Sequence, residues 1–402
     1  MTHTPLLRQT ITVSQVDAPN NGSPTAQAQT KTVAEYFAGI GLVRLGLEQA
    51  GWRVEFANDF DPQKQEMYAA YFDEAPGHYI VEDVFKLGAE TIPRTLLATS
   101  SFPCIDLSLA GNLNGMVNGK HSSAIWGFLR ILKEQGKDRS PIVMLENVPG
   151  WLTSNNGQDF RITIEALNKL GYVCDVFNLD ALRFTPQSRL RIFVIGVQVD
   201  QPNRCFGEFL DRPRSLASTQ LKRAVDANQD LAWHFLNISS PPPIKVDGLG
   251  SIIETFDIND SRWWSEEETQ RHLAMMAPSH LKRVKELEAQ PKYSYRTVYR
   301  RRRQGVQRAE VREGDTAGCL RTARGGSSRQ IVVMAGHGQT RMRHMTPREY
   351  ARLQGVPDEY PIPGNVIQAL TGFGDAVCVP AIKWIGVNVL NPLASIFSNR
   401  VN

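Results

Sequence analysis

Three side chains able to do chemistry stand out by position: Asp59 in "RVEFANDFD", Cys104 in "ATSSFPCIDLSLAG" and Glu146 in "PIVMLENV". Each closes or follows a short β-prone run, so each is expected at the carboxyl end of a strand. In open α/β sheets ligands bind outside those ends. A thiol is a good nucleophile only as thiolate, in an electropositive, partly exposed place. A carboxyl beside a substrate can hydrogen-bond or protonate it once burial raises its pKa. "TPQSRLRIF" adds Gln187, Arg189 and Arg191, the two arginines on alternate positions and so on one face of a strand edge. Singly, each has a plainer alternative. A free Cys usually packs, Glu146 can cap a following helix, and the arginines can line a solvated edge. Three reactive groups on one sheet edge tip the balance toward catalysis.

The elements that must hold these groups are legible around them. "TVAEYFAGIGLVRLGLEQAG" (Thr32–Gly51) reads as strand, glycine turn and helix. Gly39 and Gly41 permit a tight turn and close approach of a ligand to the backbone. From Leu42 apolar residues recur at helical spacing, and Gly51 stands where a helix stop belongs. Asp59 lies 20 residues after Gly39, where a Rossmann-type unit places a carboxylate for ribose hydroxyls. No third glycine falls in register, so the pattern indicates an adenosine-type ligand rather than NAD. A glycine turn that binds nothing is the alternative. Further strands are expected in "LLATSSF", "PIVMLENV" and "LRIFVIGV", with a helix in "FRITIEALNKLGY". Strands alternating with helices give an α/β, doubly wound sheet.

At 402 residues the chain suits one large domain plus a smaller one. The apolar fraction of 42% excludes wholesale disorder. No uninterrupted apolar run of about 18 residues occurs, so no membrane span is expected. The N-terminus lacks the apolar core of a signal peptide, and residues 1–30 read as a tail. Five scattered cysteines without a C-x-x-C pair offer no zinc site and fit a reducing, intracellular setting. The net charge is only +4, yet arginine concentrates in "YRTVYRRRRQGVQRAEVR" (Tyr295–Arg312) and "LRTARGGSSRQ" (Leu320–Gln330). Such clustering points to a polyanion partner.

Taken in order, these blocks resemble the DNA (cytosine-5) methyltransferases. "FAGIG" is similar to that family's cofactor glycine loop, "NDFD" to its ribose-binding acid and "SFPCIDLSLAG" to its nucleophile loop. "ENVPG" is similar to the catalytic Glu block and "PQSRLRIF" to the Q-x-R-x-R block. "MTPREYARLQGVPDEY" resembles the late helix, and "GFGDAVCVP" the closing motif; together the blocks span residues 32 to about 390. The resemblance implies a Rossmann-like doubly wound methyltransferase sheet with a second, smaller target-recognition domain. It implies a tail at 1–30, a catalytic domain at 31–199 completed by 370–402, and a recognition domain at 200–369 that includes the late helix. It implies S-adenosylmethionine as donor. Phe37, Gly39, Gly41, Asp59, Phe60, Asp83, Pro103, Asp375 and Val377 would then be cofactor residues. Within that set Asp59 holds the ribose, Phe60 stacks on adenine and Asp83 meets the adenine amino group. The target cytosine leaves the duplex stack. Cys104 adds to C6, Glu146 bonds the N3 edge, and Arg191, with Arg189, holds the flipped nucleotide and the Cys–Glu geometry. Gly111, Gly115 and Gly119 suit a lid over DNA. Ser108, Arg301, Arg324 and Arg329 would contact DNA.

The closing motif departs from the family's Gly-Asn-Ser-Val. Here it reads Gly374-Asp375-Ala376-Val377, which adds negative charge near a sulfonium. Double-stranded DNA is the expected partner, with a restriction endonuclease as a further one, and a monomer in the bacterial cytoplasm is expected. A tRNA cytosine methyltransferase on the same scaffold is a competing reading; the long basic insert argues for DNA. A Rossmann oxidoreductase leaves Cys104, Glu146 and the Q-x-R-x-R block unexplained. A catalytically silent DNA-binding relative is opposed by the intact Cys and Glu.

Overall fold

The computed structural model describes residues 31–103, 124–198, 212–244, 247–321 and 329–398. The tail at 1–30, Cys104, Ser108, the lid glycines and Arg324 lie outside them. Seven apolar runs form one sheet: β1 (Thr32–Tyr36), β2 (Arg53–Asp59), β3 (Tyr79–Val81), β4 (Leu97–Ser100), β5 (Ile142–Asn147), β6 (Tyr172–Asp180) and β7 (Leu190–Gln198). Their order is β3-β2-β1-β4-β5-β7-β6. β3, β2, β1, β4 and β5 run parallel, and β7 is antiparallel to both β5 and β6. All six residues of β5 are buried, as expected of a strand covered on both faces. The strand order reverses between β1 and β4, which makes the crevice at their carboxyl ends the natural ligand site.

Helices cover both faces. On β1, Val33 faces one core and Ala34 and Tyr36 the other, following the two-residue period of a strand. The first core holds the helix Leu42–Glu48 and the C-terminal helix Val379–Ile385. These two approach so closely that a Cβ at Gly46 would lie 2.6 Å from Ile382. The second core holds Phe128 and Leu132 of the helix Ile125–Glu134 and Phe160 and Ile164 of Gln158–Lys169. The C-terminal stretch Val366–Phe397 is, by length and composition alone, apolar enough to pass for a membrane span. Most of it is buried inside the protein, which accounts for its composition as core packing.

A second, antiparallel sheet has the order β11-β10-β8-β9, from β8 (Ser294–Arg303), β9 (Val306–Val311), β10 (Ile331–Gly336) and β11 (Gln339–His344). Gln304 and Gly305, both at positive φ, make the two-residue turn from β8 to β9. Val298, Ile331, Val333 and Met342 form this sheet's own core with Leu273 and Val284 of the helices Glu266–Ala274 and Pro278–Glu288. The cores of the large sheet also take in residues of the 200–369 segment. Leu221, Val225 and Trp233 are buried against the large sheet. Tyr350 and Tyr360 of the late block join the large core too, and the Tyr360 hydroxyl donates to the Ile40 carbonyl at 2.7 Å.

Candidate active site

At the end of β1 the chain turns through Phe37, Gly39 and Gly41, all at positive φ (58°, 56° and 80°). Asp59, ending β2, clamps this turn. Its Oδ2 accepts the Gly39 N–H at 3.0 Å and its Oδ1 the Asp61 N–H at 3.1 Å. Burial pushes the Asp59 carboxyl up; Lys64 and these two amides pull it back. The Tyr79 hydroxyl donates to the Gly39 carbonyl at 3.0 Å and fixes the other side. The two glycines differ in purpose. A Cβ on Gly39 would meet nothing nearer than Lys64 Cδ at 3.9 Å, so its backbone borders open space. A Cβ on Gly41 would strike Phe72 at 2.5 Å and Tyr68 at 2.7 Å, so the missing side chain there makes room for core aromatics.

Phe60 follows Asp59 with 66% of its surface exposed, an unusual state for a large apolar ring. Asp83 is exposed, with Oδ1 accepting the Phe85 N–H at 3.0 Å. Pro103 is exposed, whereas Val377 is buried in the large core. The Asp375 carboxylate lies 3.3 Å from Lys64 Nζ, on the helix Pro62–Ala69. The negative charge that sets this chain apart from the family pattern therefore has a cation beside it. Lys64 escaped the sequence reading. Its signal was a lysine in the first turn of a helix, where the dipole favours acids.

Glu146, 8% exposed, stands near the end of β5. Arg191 Nε is 2.9 Å from Glu146 Oε1, in a nearly buried pair with side chains 13% and 10% exposed. The next residue, Asn147, donates from Nδ2 to the Phe102 carbonyl at 3.2 Å. The Trp151 ring meets Phe102 edge-on at 5.4 Å. The end of β5 is thereby fastened to the segment that leads, two residues later, into Cys104.

Arg189 has a different place from Arg191. It is 3% exposed, and its guanidinium donates to the carbonyls of Leu320 (3.1 Å), Gly374 (3.3 Å) and Ala376 (2.6 Å). Burial lowers its pKa. Arg189 ties β7 to the closing motif and to the chain at 320, and it stands behind the open edge. Gln187, fully buried, works alongside. It donates to the Leu353 carbonyl at 2.9 Å and accepts the Leu320 N–H at 3.1 Å. Cys319, which matched no motif, lies 3.2 Å from Arg189 and 3.8 Å from Arg191. Nothing local in the sequence marks it, because 128 residues separate it from Arg191.

The arginine-rich insert divides by strand parity. Arg301 lies 3.7 Å from Glu310 and over the Tyr299 ring at 4.6 Å. Arg300 points to the opposite face, the one shared with Val298. Arg329 is half-buried, two residues before β10.

The fold and this edge together define a methyltransferase. The sequence model of the C-5 cytosine-specific DNA methylases matches residues 31–391, and the chain belongs to that family. Among similar curated proteins, the Type II methyltransferase M.HaeII of Haemophilus aegyptius is 27% identical over 90% of this chain and 93% of its own length. M.HhaI of Haemophilus parahaemolyticus is 25% identical over 88% and 93%. The crystal structure of the S. pombe Dnmt2 methyltransferase superposes with a TM-score of 0.59 at 18% identity, covering 90% of this chain and 99% of that one. That likeness is one of fold.

The protein is a DNA (cytosine-5) methyltransferase that uses S-adenosylmethionine. The residues present fit that donor. The uncovered backbone at Gly39 admits a ligand, the exposed Phe60 ring is free to stack, and the carboxyl end of β2 carries Asp59.

Proposed function

We propose that Cys104 is the nucleophile of this methyltransferase, acting on a cytosine turned out of duplex DNA, with Glu146 and Arg191 as its partners. The Cys104 thiolate adds to C6, forming the S–C6 bond and moving electron density to C5. Glu146 holds the N3 edge of the base and supports that density. S-adenosylmethionine supplies the methyl group that C5 accepts. A base then takes the C5 proton, the C5–C6 double bond reforms, and Cys104 leaves as thiolate. Arg191 fixes the Glu146 carboxylate, and Arg189 acts as a positioning residue through the closing motif. Splitting one hard substitution into addition and elimination is the gain of covalent catalysis.

The observation that carries this reading is the nearly buried Glu146–Arg191 pair. It stands beside the Asn147–Phe102 bond that fixes the approach to Cys104. On the donor side, Asp59 and Phe60 take the ribose and adenine, with Phe37 and Gly39 at the turn and Asp83, Pro103, Asp375 and Val377 around it. Gly41 joins them through its backbone, with its Cβ side given to Tyr68 and Phe72. The named relatives are bacterial Type II methyltransferases, which supports a place in the bacterial cytoplasm and a paired restriction endonuclease. Bisulfite sequencing of DNA from cells expressing the protein tests the activity. One short sequence with fully protected cytosines is expected; no protection anywhere overturns the reading.

A further inference from the structure

Two charges stand at the unfavourable ends of their helices. Lys64 is the third residue of the helix Pro62–Ala69, and Asp375 is the last residue of the helix Val366–Asp375. A helix dipole favours acids in the first turn and bases in the last, so each helix disfavours the charge it carries. The two meet between the helices, with Lys64 Nζ 3.3 Å from the Asp375 carboxylate. The helices have a tie without them. Gln368 Nε2 donates to the Gln63 carbonyl at 3.0 Å and to Glu66 Oε2 at 3.1 Å. An ion pair with side chains 20% and 32% exposed adds little stability.

The pair lies beside the open turn. The side-chain atom nearest to a Cβ built on Gly39 is Lys64 Cδ, at 3.9 Å. Burial raises the Asp59 pKa, and Lys64 is the nearby cation that pulls it back. Lys64 therefore borders the uncovered side of Gly39, next to Asp59. Asp375 is held from behind. Arg189 donates to the carbonyls of Gly374 and Ala376, one on either side of it. Gln354 Nε2 donates to the carbonyls of Phe373 at 2.7 Å and Ala376 at 3.0 Å. The carboxylate thus stands on a fixed backbone, facing an ammonium on a flexible stem.

We propose that Lys64 and Asp375 dock the amino-acid end of S-adenosylmethionine, Lys64 taking its α-carboxylate and Asp375 its α-ammonium. An ammonium has three donors and a carboxylate about four acceptor sites, so one mutual contact exhausts neither. A cation and an anion side by side match an α-amino acid, whose two charges hang from one carbon, with the signs reversed. Docking gives four alternating charges in place of one half-exposed pair. The proposal rests on the donor pocket at Asp59 and Phe60 and adds a charged anchor to it. It also gives the departure in the closing motif a use, since Asp375 brings a charge that Lys64 matches. Donor and demethylated product share the amino-acid end, so the anchor holds both.

The test is calorimetric titration of the full chain with S-adenosylmethionine, S-adenosylhomocysteine and 5′-methylthioadenosine, which keeps the adenosine and the sulfur but lacks the amino-acid end. Lys64→Met and Asp375→Ala are each expected to weaken the first two ligands by about tenfold or more, the weight of one hydrogen bond to a charged group, and to leave the third unchanged. The exchanged pair, Lys64→Asp with Asp375→Lys, is expected to melt at or above wild type, because each charge then suits its helix. It should still bind the first two ligands weakly, since a donor fixed at its ribose cannot reverse its ends. Phe60→Ala is expected to weaken all three. Equal loss of all three ligands in Lys64→Met makes the pair a part of the pocket's shape and overturns the proposal. Unchanged affinities, whatever the melting temperature, overturn it too, as does full recovery of donor affinity in the exchanged pair. Phe60→Ala that binds all three like wild type ends the pocket reading beneath; Phe60→Ala that weakens them while Lys64→Met does not ends the anchor alone.

Discussion

At the scale of single residues, the site depends on what each polar group is already bonded to. Glu146 has Arg191 at 2.9 Å in a setting that excludes most water. Removing one partner of such a pair strands the other charge, at about 3–5 kcal/mol. Arg191→Ala should therefore lower both the unfolding free energy and the single-turnover methylation rate, while calorimetry shows donor affinity close to wild type. A variant that loses donor affinity and keeps its methylation rate would contradict the role given to Arg191. Asp59 shows the same economy. Its two oxygens hold backbone amides, so it shapes the glycine turn at the end of β1.

At the scale of elements, much was legible because the parallel strands are buried on both faces and read as apolar runs. The ends of those runs located Asp59 and Glu146. The sequence concealed side-chain direction beyond each run. Gly39 and Gly41 looked alike, yet only at Gly41 does the Cβ side meet Tyr68 and Phe72. The arginine run looked like one patch, yet strand alternation sets Arg300 and Arg302 on one face and Arg301 on the other. β1 also carries a titratable group that its pattern hid. Glu35 is 1% exposed, neither carboxylate oxygen has a hydrogen-bond partner, and burial pushes its pKa up to about 8 against the pull of Arg44. The folded pKa thus lies above the unfolded value of about 4.3. Between these two values the folded state binds the extra proton, so this group's contribution to stability falls as pH rises. Glu35→Gln should flatten the fall in stability from pH 5 to about 8, read by denaturant midpoints. A parallel fall in wild type and variant would rule the effect out.

At the scale of the whole molecule, motifs far apart in sequence prove to be one mechanical unit. Gln187 reaches Leu353 and Leu320, Arg189 reaches Leu320, Gly374 and Ala376, and Gln354 donates to the Phe373 carbonyl at 2.7 Å. The Q-x-R-x-R block, the late helix and the closing motif thus tie β7 to the chain at Leu320. Their order was readable in the sequence. Their mutual contact was not, since the bonds of Gln187 and Arg189 join residues more than a hundred positions apart. This frame holds the Glu146–Arg191 pair against the strand that leads to Cys104, and the central claim is that Cys104 attacks the base. The most direct measurement is covalent trapping on duplex DNA that carries 5-fluorocytosine at the target, where fluorine cannot leave as a proton. Wild type with S-adenosylmethionine should form a complex stable to denaturing electrophoresis, and Cys104→Ala should form none while still binding DNA. Equal trapping by the alanine variant would contradict the account.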